Sequence, residues 1–533
     1  MIIFLCRWHS SLLDRIPPDH LAPNHSATDQ PTSNNMIYTQ LYNHVKKSTP
    51  VQVGVIGTGH FATATITQAQ SMPRIDVAIV ADINIDAAKH AYQQAGIAHE
   101  DMVVAENRGA AIIALERGQR VIVPDAMLLM DLPVDVLVES TGIPEAGAIH
   151  ASEAIRHGKH VAMVSKETDA TVGPILAQMA AKTGVVYTPV DGDQHGLLIS
   201  LVTWAQELGL EILCAGKARD TEYVYNPNDQ TISTRKAKVE VDETELFWLQ
   251  HMENDEVRRY LAMRQGVLAP LPQIGGFDLV EMAIAANATG LLPDRPLGHV
   301  SSLTFARRLA TDARLTNRGT AADNVRRENI VEGSGMLHCP PLHIREIPQV
   351  LSPREEGGIL ENRGVIDSVT ALRLPHEAGL GGGVFIVVAC DTDYSRHILT
   401  TKGCIANQAG TTALIYRPYH LCGVETPISI LNAALLGHST LVKPPMPLVD
   451  VVARTRRDFK AGERIGNDHS PDLEFLMGLT EPISDEAHVP IHMANGNPLT
   501  EDVPAGTLLT VGMIGYAEDS VLWALRREQD RPK

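Results

Sequence analysis

The sequence predicts an α/β chain: a doubly wound parallel sheet first, an α+β domain next and a small all-β module last. Three observations predict it. Short β-branched runs alternate with helix-like runs from residue 51 to residue 190, the alternation that builds parallel sheets. A glycine-rich turn, Gly57-Thr-Gly-His-Phe-Ala62, joins the first strand to the first helix. Beyond residue 445 the pattern becomes β runs broken by Ala-Gly turns.

Composition narrows the function classes. The 533 residues carry 45 Lys+Arg against 63 Asp+Glu, a formal charge of −18. Nucleic acid and anionic membrane surfaces, which need a basic face, are excluded as partners. At roughly 150 residues per domain the length fits about three domains. The six cysteines are scattered, with no Cys-x-x-Cys pair, which reads as reduced thiols in a cytoplasmic protein rather than zinc ligands. Apolar runs fall short of the ~18 residues that span a bilayer. About thirty residues after the first few are rich in Pro, Ser, Asn, His and Asp, and Met36 precedes a more helix-like stretch. Residues 1–49 read as a mobile or non-native extension, with Met36 as the candidate native start.

The elements follow in order. Val51–Ile56 is a buried parallel strand. Gly57 permits the tight bend after it, Gly59 lets backbone approach a diphosphate, and Ala62 allows close helix packing. A helix runs on to Met72, and a second strand, Asp76–Asp82, ends in a carboxylate twenty residues past Ala62. That is where a ribose-binding acid belongs, and its charge with no following Arg favours NAD over NADP. Thr58, His60 and Phe61 complete this candidate coenzyme turn. A helix over 108–117 and strands over 120–124, 134–142, 159–165 and 184–190 continue the alternation, with a helix over 146–157. Ligands of such Rossmann-type sheets sit beyond the carboxyl ends of the strands. Three loops therefore face the coenzyme, 139–142 (with Ser140, Thr141 and Gly142), 165–169 and 191–194. The expected domains are 50–192 for the coenzyme, 193–445 for catalysis with a helical insert at 221–270, 446–518 for the β module, and a tail at 519–533.

Hydride chemistry needs a group that moves a proton. Lys217 follows the strand Glu211–Gly216; a partly buried lysine there has a lowered pKa and suits acid/base work. Glu167 and Asp169 share one loop and Asp191 and Asp193 the next, a set able to take magnesium or manganese. Asp169 and Asp191 read better as caps of helices starting near Thr171 and His195, which leaves Glu167 and Asp193 as catalytic candidates. His195 reads as a half-buried residue at a helix start. His338, Cys339 and His343 are interrupted by Pro-Pro and read as no metal site. Residues 243–265 form a helical run, a lid or oligomer contact. Gly381-Gly-Gly383 introduces a strand, Val384–Ala389, returning to the sheet. Asp458–Glu463 and Asp502–Thr507 echo each other, each expected to form its own hairpin.

Several segments together carry a resemblance. Glu139-Ser-Thr-Gly-Ile-Pro144, His157–Val164, Gly192-Asp-Gln194, Ala215-Gly-Lys217, Glu281–Asn287, Leu351–Gly358, Tyr416–Leu421 and Ile428–Leu431 are similar to homoserine dehydrogenase-like proteins. They resemble most the long branch with a C-terminal SAF (β-clip) domain, which includes the second-type 1-deoxy-D-xylulose 5-phosphate reductoisomerase-like enzymes. The resemblance implies a homo-oligomeric NAD(P)-dependent oxidoreductase acting on a small polar hydroxy or keto compound. It also implies that Lys166 lies near coenzyme and substrate, that Lys217 is in the site and that Glu281 faces the cleft. The chain departs from the reductoisomerase-like pattern at Gly216-Lys-Ala-Arg-Asp220 and Ile274-Gly-Gly-Phe-Asp278. Two cationic positions are lost there, with Arg219 as the replacement for one. The rival readings are a metal-dependent reductoisomerase and a non-catalytic NAD-binding regulator.

Overall fold

The computed structural model describes residues 37–45, 49–241, 276–298 and 341–531, with isolated positions between 257 and 271. Apart from those positions, the expected helical run 243–265 lies outside the described residues, as do His338 and Cys339. The chain divides into a short N-terminal unit, 1–46, and a main unit. In the first, Ile37–His44 is a helix, α1. It begins just after Met36, where the sequence turns helix-like.

In the main unit β1 (Val51–Ile56), β2 (Ile75–Ala81), β3 (Met102–Val104), β4 (Arg120–Val123), β5 (Val136–Glu139), β6 (His160–Met163) and β7 (Tyr187–Pro189) form one seven-stranded sheet. Its order is β3-β4-β2-β1-β5-β6-β7 and every pair is parallel. Chain direction across the sheet reverses between β1 and β5, which opens a crevice at their carboxyl ends. The strands are buried on both faces, as β-branched runs require. Helices α2 (His60–Ala69), α3 (Ile85–Gln94), α4 (Arg108–Glu116), α5 (Pro144–Arg156) and α6 (Lys166–Thr183) connect them. β3, three residues and only half-buried, went unseen in the sequence.

α7 (Gln194–Glu207) and α8 (Gly276–Thr289) then pack on a six-stranded mixed sheet. It orders β12 (Leu292–Pro293), β14 (Val365–Val369), β8 (Ile212–Ala218), β16 (Val384–Ala389), β18 (Thr412–Arg417) and β17 (Ile405–Ala406). β16 pairs antiparallel with β8, so the strand after Gly383 does return to this sheet. The start of the expected helical insert is instead β: β9 (Tyr223–Asn226), β10 (Thr231–Ser233) and β11 (Lys238–Glu240) join a sheet with β13 (Leu342–His343) and β15 (Ala371–Arg373). The reason is a two-residue period hidden among polar neighbours, which buries Tyr223, Tyr225 and Ile232.

The C-terminal region is all-β around one long pair, β19 (Val449–Thr455) and β20 (Leu473–Leu479). The two echoed segments do not make separate hairpins, which corrects that expectation. They pair with each other: Phe459 and Val503 exchange backbone hydrogen bonds of 2.8 and 2.9 Å. The Asp458 carboxylate accepts from the Ala505 N–H at 2.8 Å and Asp502 reciprocally from Ala461 at 2.9 Å. Each copy lacks a partner strand of its own, so an internal two-fold satisfies both.

The expected tail is a docked helix. Short helices α9 (Ile347–Val350), α10 (Asp393–Thr401), α11 (Thr426–Leu431) and α12 (Ile491–Ala494) precede it, and α13 (Val521–Gln529) packs on α5 and α6. Pro174 lies inside α6. One residue on, the Ile175 N–H donates to Gln529 Oε1 at 3.1 Å while Gln529 Nε2 donates to Thr171 O at 3.3 Å. The Gln529 amide thus replaces one rung of the helix ladder beside the proline. No helix among the described residues is long and apolar enough to cross a membrane.

Candidate functional site

The Gly57 turn comes first. Gly57 has φ +82°, and a Cβ there would meet Ser140 O at 2.9 Å, so the turn fits only a glycine against the β5 loop. Gly59 differs: its φ is −68° and nothing lies within 4 Å of where its Cβ would be. It holds the N-cap position of α2 with no side chain capping that end. An open glycine beside uncapped N–H groups fits a diphosphate, so the residues present suit a dinucleotide. The Thr58 N–H and hydroxyl donate to Asp82 Oδ2 at 2.8 and 2.5 Å, and the Asn84 N–H to Oδ1 at 2.8 Å. Oδ2 accepts twice and is filled, while Oδ1, which accepts once, keeps a lone pair for a ribose hydroxyl. Ile83, 91% exposed beside this acid, offers an apolar face to a purine. Ala62 is buried, as close packing of α2 requires, while His60 and Phe61 stand on its first turn.

A chain of contacts leads from this turn across the crevice. Ser140 Oγ shares its one proton between Ile56 O and Gly57 O, 2.8 and 2.9 Å away. Thr141 Oγ1 is turned away onto Glu139 at 2.6 Å. The Gly142 N–H donates to Ser165 Oγ at 2.8 Å, and Lys166 follows immediately at the start of α6. The Lys166 ammonium donates to Glu281 Oε1 and that of Lys217 to Glu281 Oε2. Lys217 also lies 2.9 Å from Asp278, whose other oxygen accepts from Arg219 Nε at 2.9 Å. Cations and carboxylates therefore alternate through Lys166, Glu281, Lys217, Asp278 and Arg219. Asp278 and Glu281 lie three apart on α8 and so share a face. That spacing was the available signal for Asp278, which sequence reasoning missed.

Electrostatics reassign the roles. Lys217 is the penultimate residue of β8 and is 1% exposed, fully rather than partly buried. Burial alone would lower its pKa, yet Glu281 and Asp278 raise it, which corrects the expected lowered value. Likewise burial alone would raise the Glu281 carboxyl, but Lys166 and Lys217 hold it below the usual carboxylate range. A Cβ on Gly216, the residue before Lys217, would collide with Asp367 O and the Phe385 ring, so the backbone is closely packed there. Glu167 has another character. Burial, with lesser contributions from Asp468 and Glu139 and against the pull of Lys166, pushes it up to about 7. Its two oxygens would each stand 4.0 Å from a Cβ on Gly142.

The four acidic loop residues do not converge. Asp193 is buried and accepts from the Gln194 N–H at 2.8 Å as the N-cap of α7, the role expected of Asp191. Asp191 instead meets Ser429 at 3.1 Å, and Asp169, inside α6, accepts from Tyr187 OH at 2.7 Å. The capping readings of Asp169 and Asp191 are thus corrected. Among the described residues no group of three or more His, Cys, Asp or Glu side chains could hold a metal ion. His195 is fully buried rather than half-buried, 3.9 Å from Asp193. His343 pairs with Glu377 at 2.9 Å. The loop after β18 was also missed: Gly423 presses on Phe61 and Ala64 of α2, and burial, then the charges of Asp193 and Glu281, pushes the Cys422 thiol up to about 12. A shallow depression lined by Gln52, Asp76 and Arg120 lies at the amino ends of the strands, on the far edge of the sheet from all of this chemistry.

Residues 327–426 match the family model described as the catalytic domain of oxidoreductase DRL. No curated protein matches the sequence significantly. Among solved structures, 1-deoxy-D-xylulose 5-phosphate reductoisomerase from Zymomonas mobilis in complex with NADPH aligns at 16% identity over 44% of this chain and 57% of its own, TM-score 0.27. An oxidoreductase from Agrobacterium radiobacter in complex with NAD+, L-tartaric acid and magnesium aligns at 13% over 41% and 55%, TM-score 0.24. Biliverdin reductase from Synechocystis, in complex with biliverdin and NADP+, aligns at 18% over 34% and 49%, TM-score 0.22. The alignments span about half the length of these neighbours, which are NAD(P)-binding oxidoreductases.

Proposed function

We propose that this protein is an NAD(P)-dependent oxidoreductase that moves a hydride between nicotinamide and a small polar hydroxy or keto compound, with NAD preferred. One observation supports this above the rest. The Gly57 turn and the buried Lys–carboxylate chain are linked edge to edge through Ser140, Gly142 and Ser165. The match of residues 327–426 to an oxidoreductase catalytic domain supports the same reading. Resemblance to the homoserine dehydrogenase-like, SAF-bearing branch leads us to propose a homo-oligomeric, cytoplasmic enzyme.

In this reading the Gly57–Ala62 turn holds the diphosphate, Asp82 the adenosine ribose, and Ser140–Gly142 lie beside the nicotinamide, which when bound gives or takes the hydride. Lys166, its side chain 22% exposed against 1% for Lys217, presents an ammonium to the substrate oxygen. Lys217 acts one step back, fixing Glu281 and through it Lys166. Glu167, titrating near neutrality, takes or returns the substrate proton.

Fluorescence titration of the full chain with NADH and NADPH tests the first half. Turnover of L-homoserine, D-erythronate, xylitol and 1-deoxy-D-xylulose 5-phosphate, with and without magnesium, tests the second. Saturable NADH uptake with metal-independent turnover of a hydroxy compound is expected. Turnover of the ketose phosphate alone, only with metal, replaces the reading by a reductoisomerase. Coenzyme uptake without any turnover replaces it by a regulator, and no uptake overturns it.

A further inference from the structure

The C-terminal β module buries unpaired polar atoms on elements near this site. His492, on α12, is 4% exposed, and neither ring nitrogen has a hydrogen-bond partner among the described residues. Asp468 is equally buried, and its Oδ2 is likewise unpartnered. A buried polar atom left unpaired costs about 1–3 kcal/mol, so three in one neighbourhood call for a ligand. Their position says which site they serve. α12 packs against α6, the helix that begins at Lys166, and β19 and β20 pack against α8, the helix of Asp278 and Glu281. Asn287 of α8 clamps that junction, accepting from the Leu448 and Val449 N–H groups at 2.8 and 2.9 Å. The charges felt at His492 are those of Asp468, Lys166 and His469, and Asp468 in turn acts on Glu167.

The chemistry of the two groups selects a ligand class. Burial pushes the His492 imidazole down to about 4, so it is neutral at physiological pH and offers one donor and one acceptor. Asp468 offers acceptors only. Hydroxyl groups, each both donor and acceptor, satisfy this pair. A phosphate or carboxylate would face the Asp468 charge.

We propose that Asp468 and His492 form the distal wall of the substrate pocket and bind hydroxyl groups of a polyol-like substrate whose reacting carbon lies beside Lys166 and Glu167. The inference rests on the oxidoreductase reading and makes the C-terminal module part of the site rather than an appendage.

The test uses the full chain with 15N-labelled histidine, the His492 ring signals being assigned by their loss in His492→Gln. Xylitol and inorganic phosphate are titrated in separately, with and without NADH. Saturable movement of the His492 signals with xylitol and none with phosphate is expected. Asp468→Asn and His492→Gln should weaken xylitol binding about tenfold or more, the scale of one or two lost hydrogen bonds, with NADH affinity changed less than about twofold. His492 signals that ignore xylitol, because they hold an ordered water only, overturn the inference. So do variants that melt earlier yet bind xylitol as before. If His492→Gln fails to fold, the xylitol affinity of Asp468→Asn against that of the wild-type chain still decides. Failure of NADH to bind sinks the oxidoreductase reading instead, a result separate from the xylitol response.

Discussion

Lys217 of β8 donates to Glu281 of α8, a buried pair 64 residues apart in sequence. Glu281 is also the acceptor for Lys166, so one carboxylate bridges two ammonium groups, and Asp278 shares Lys217. Removing one member of a buried ion pair costs about 3–5 kcal/mol because the partner charge is left uncompensated. Glu281→Ala should lower the urea-unfolding free energy by about that much. The depressed carboxyl contributes stability that is present above the ordinary carboxylate pKa and is lost only as pH falls through its folded-state value. The deficit should therefore stay constant through neutral pH. A loss below about 1 kcal/mol would mean that the network is solvated and weak.

Gly57 and Gly59 predict opposite outcomes for the same substitution. Gly57→Ala puts a Cβ at positive φ, 2.9 Å from Ser140 O, and should cost about 1–3 kcal/mol of stability. Gly59→Ala meets open space at an ordinary φ and should fold normally, yet lose NADH affinity about tenfold or more if the diphosphate lies there. Thermal melts paired with NADH titration read both effects. Unchanged affinity in Gly59→Ala would move the coenzyme elsewhere.

Asp82 holds the Thr58 end of the turn as well as the expected ribose position. Asp82→Ala should weaken NADH binding more than NADPH binding, since the repulsion of a 2′-phosphate goes with the carboxylate. The ratio of the two dissociation constants should shift about tenfold toward NADPH. A parallel loss for both coenzymes would leave Asp82 only its structural role.

Glu167, raised to about 7, makes stability fall with rising pH. The folded state holds its proton longer than the unfolded chain does, so this contribution is complete below the ordinary carboxylate pKa and lost as pH rises through neutrality. Glu167→Gln should remove up to one proton's worth of slope, about 1.4 kcal/mol per pH unit, from unfolding free energy plotted against pH in that window. An unaltered slope would show that Glu167 is solvated. In turnover assays the same variant should lose the rate step that titrates near pH 7.

Gln529 stands in for the backbone rung beside Pro174. Gln529→Ala should cost about 1–3 kcal/mol by stranding a buried N–H and a carbonyl. Gln529→Glu, which can accept but cannot donate while charged, should be no better. Equal melting temperatures would show that water fills the gap.

The coenzyme half was legible in the sequence for local reasons. β-branched runs buried on both faces, glycines at forced turns and an acid at a strand tip are written in neighbouring residues, and β1, β2 and the Gly57 turn lie where those signals put them. β3 escaped because it is three residues long and only half-buried, and β9 to β11 because they are three or four residues long with a period of two diluted by polar neighbours. The echo at Asp458 and Asp502 was visible, but not that the copies pair with each other. Tertiary structure alone decided the rest. Whether Lys217 is a proton shuttle or a fixed cation depends on Asp278 and Glu281, and whether Glu167 titrates near neutrality depends on its burial and on Asp468, about three hundred residues away. Backbone preference is a property of a few adjacent residues. The charge state of a buried side chain is set by whatever packing brings within a few ångströms of it, and sequence distance carries no record of that.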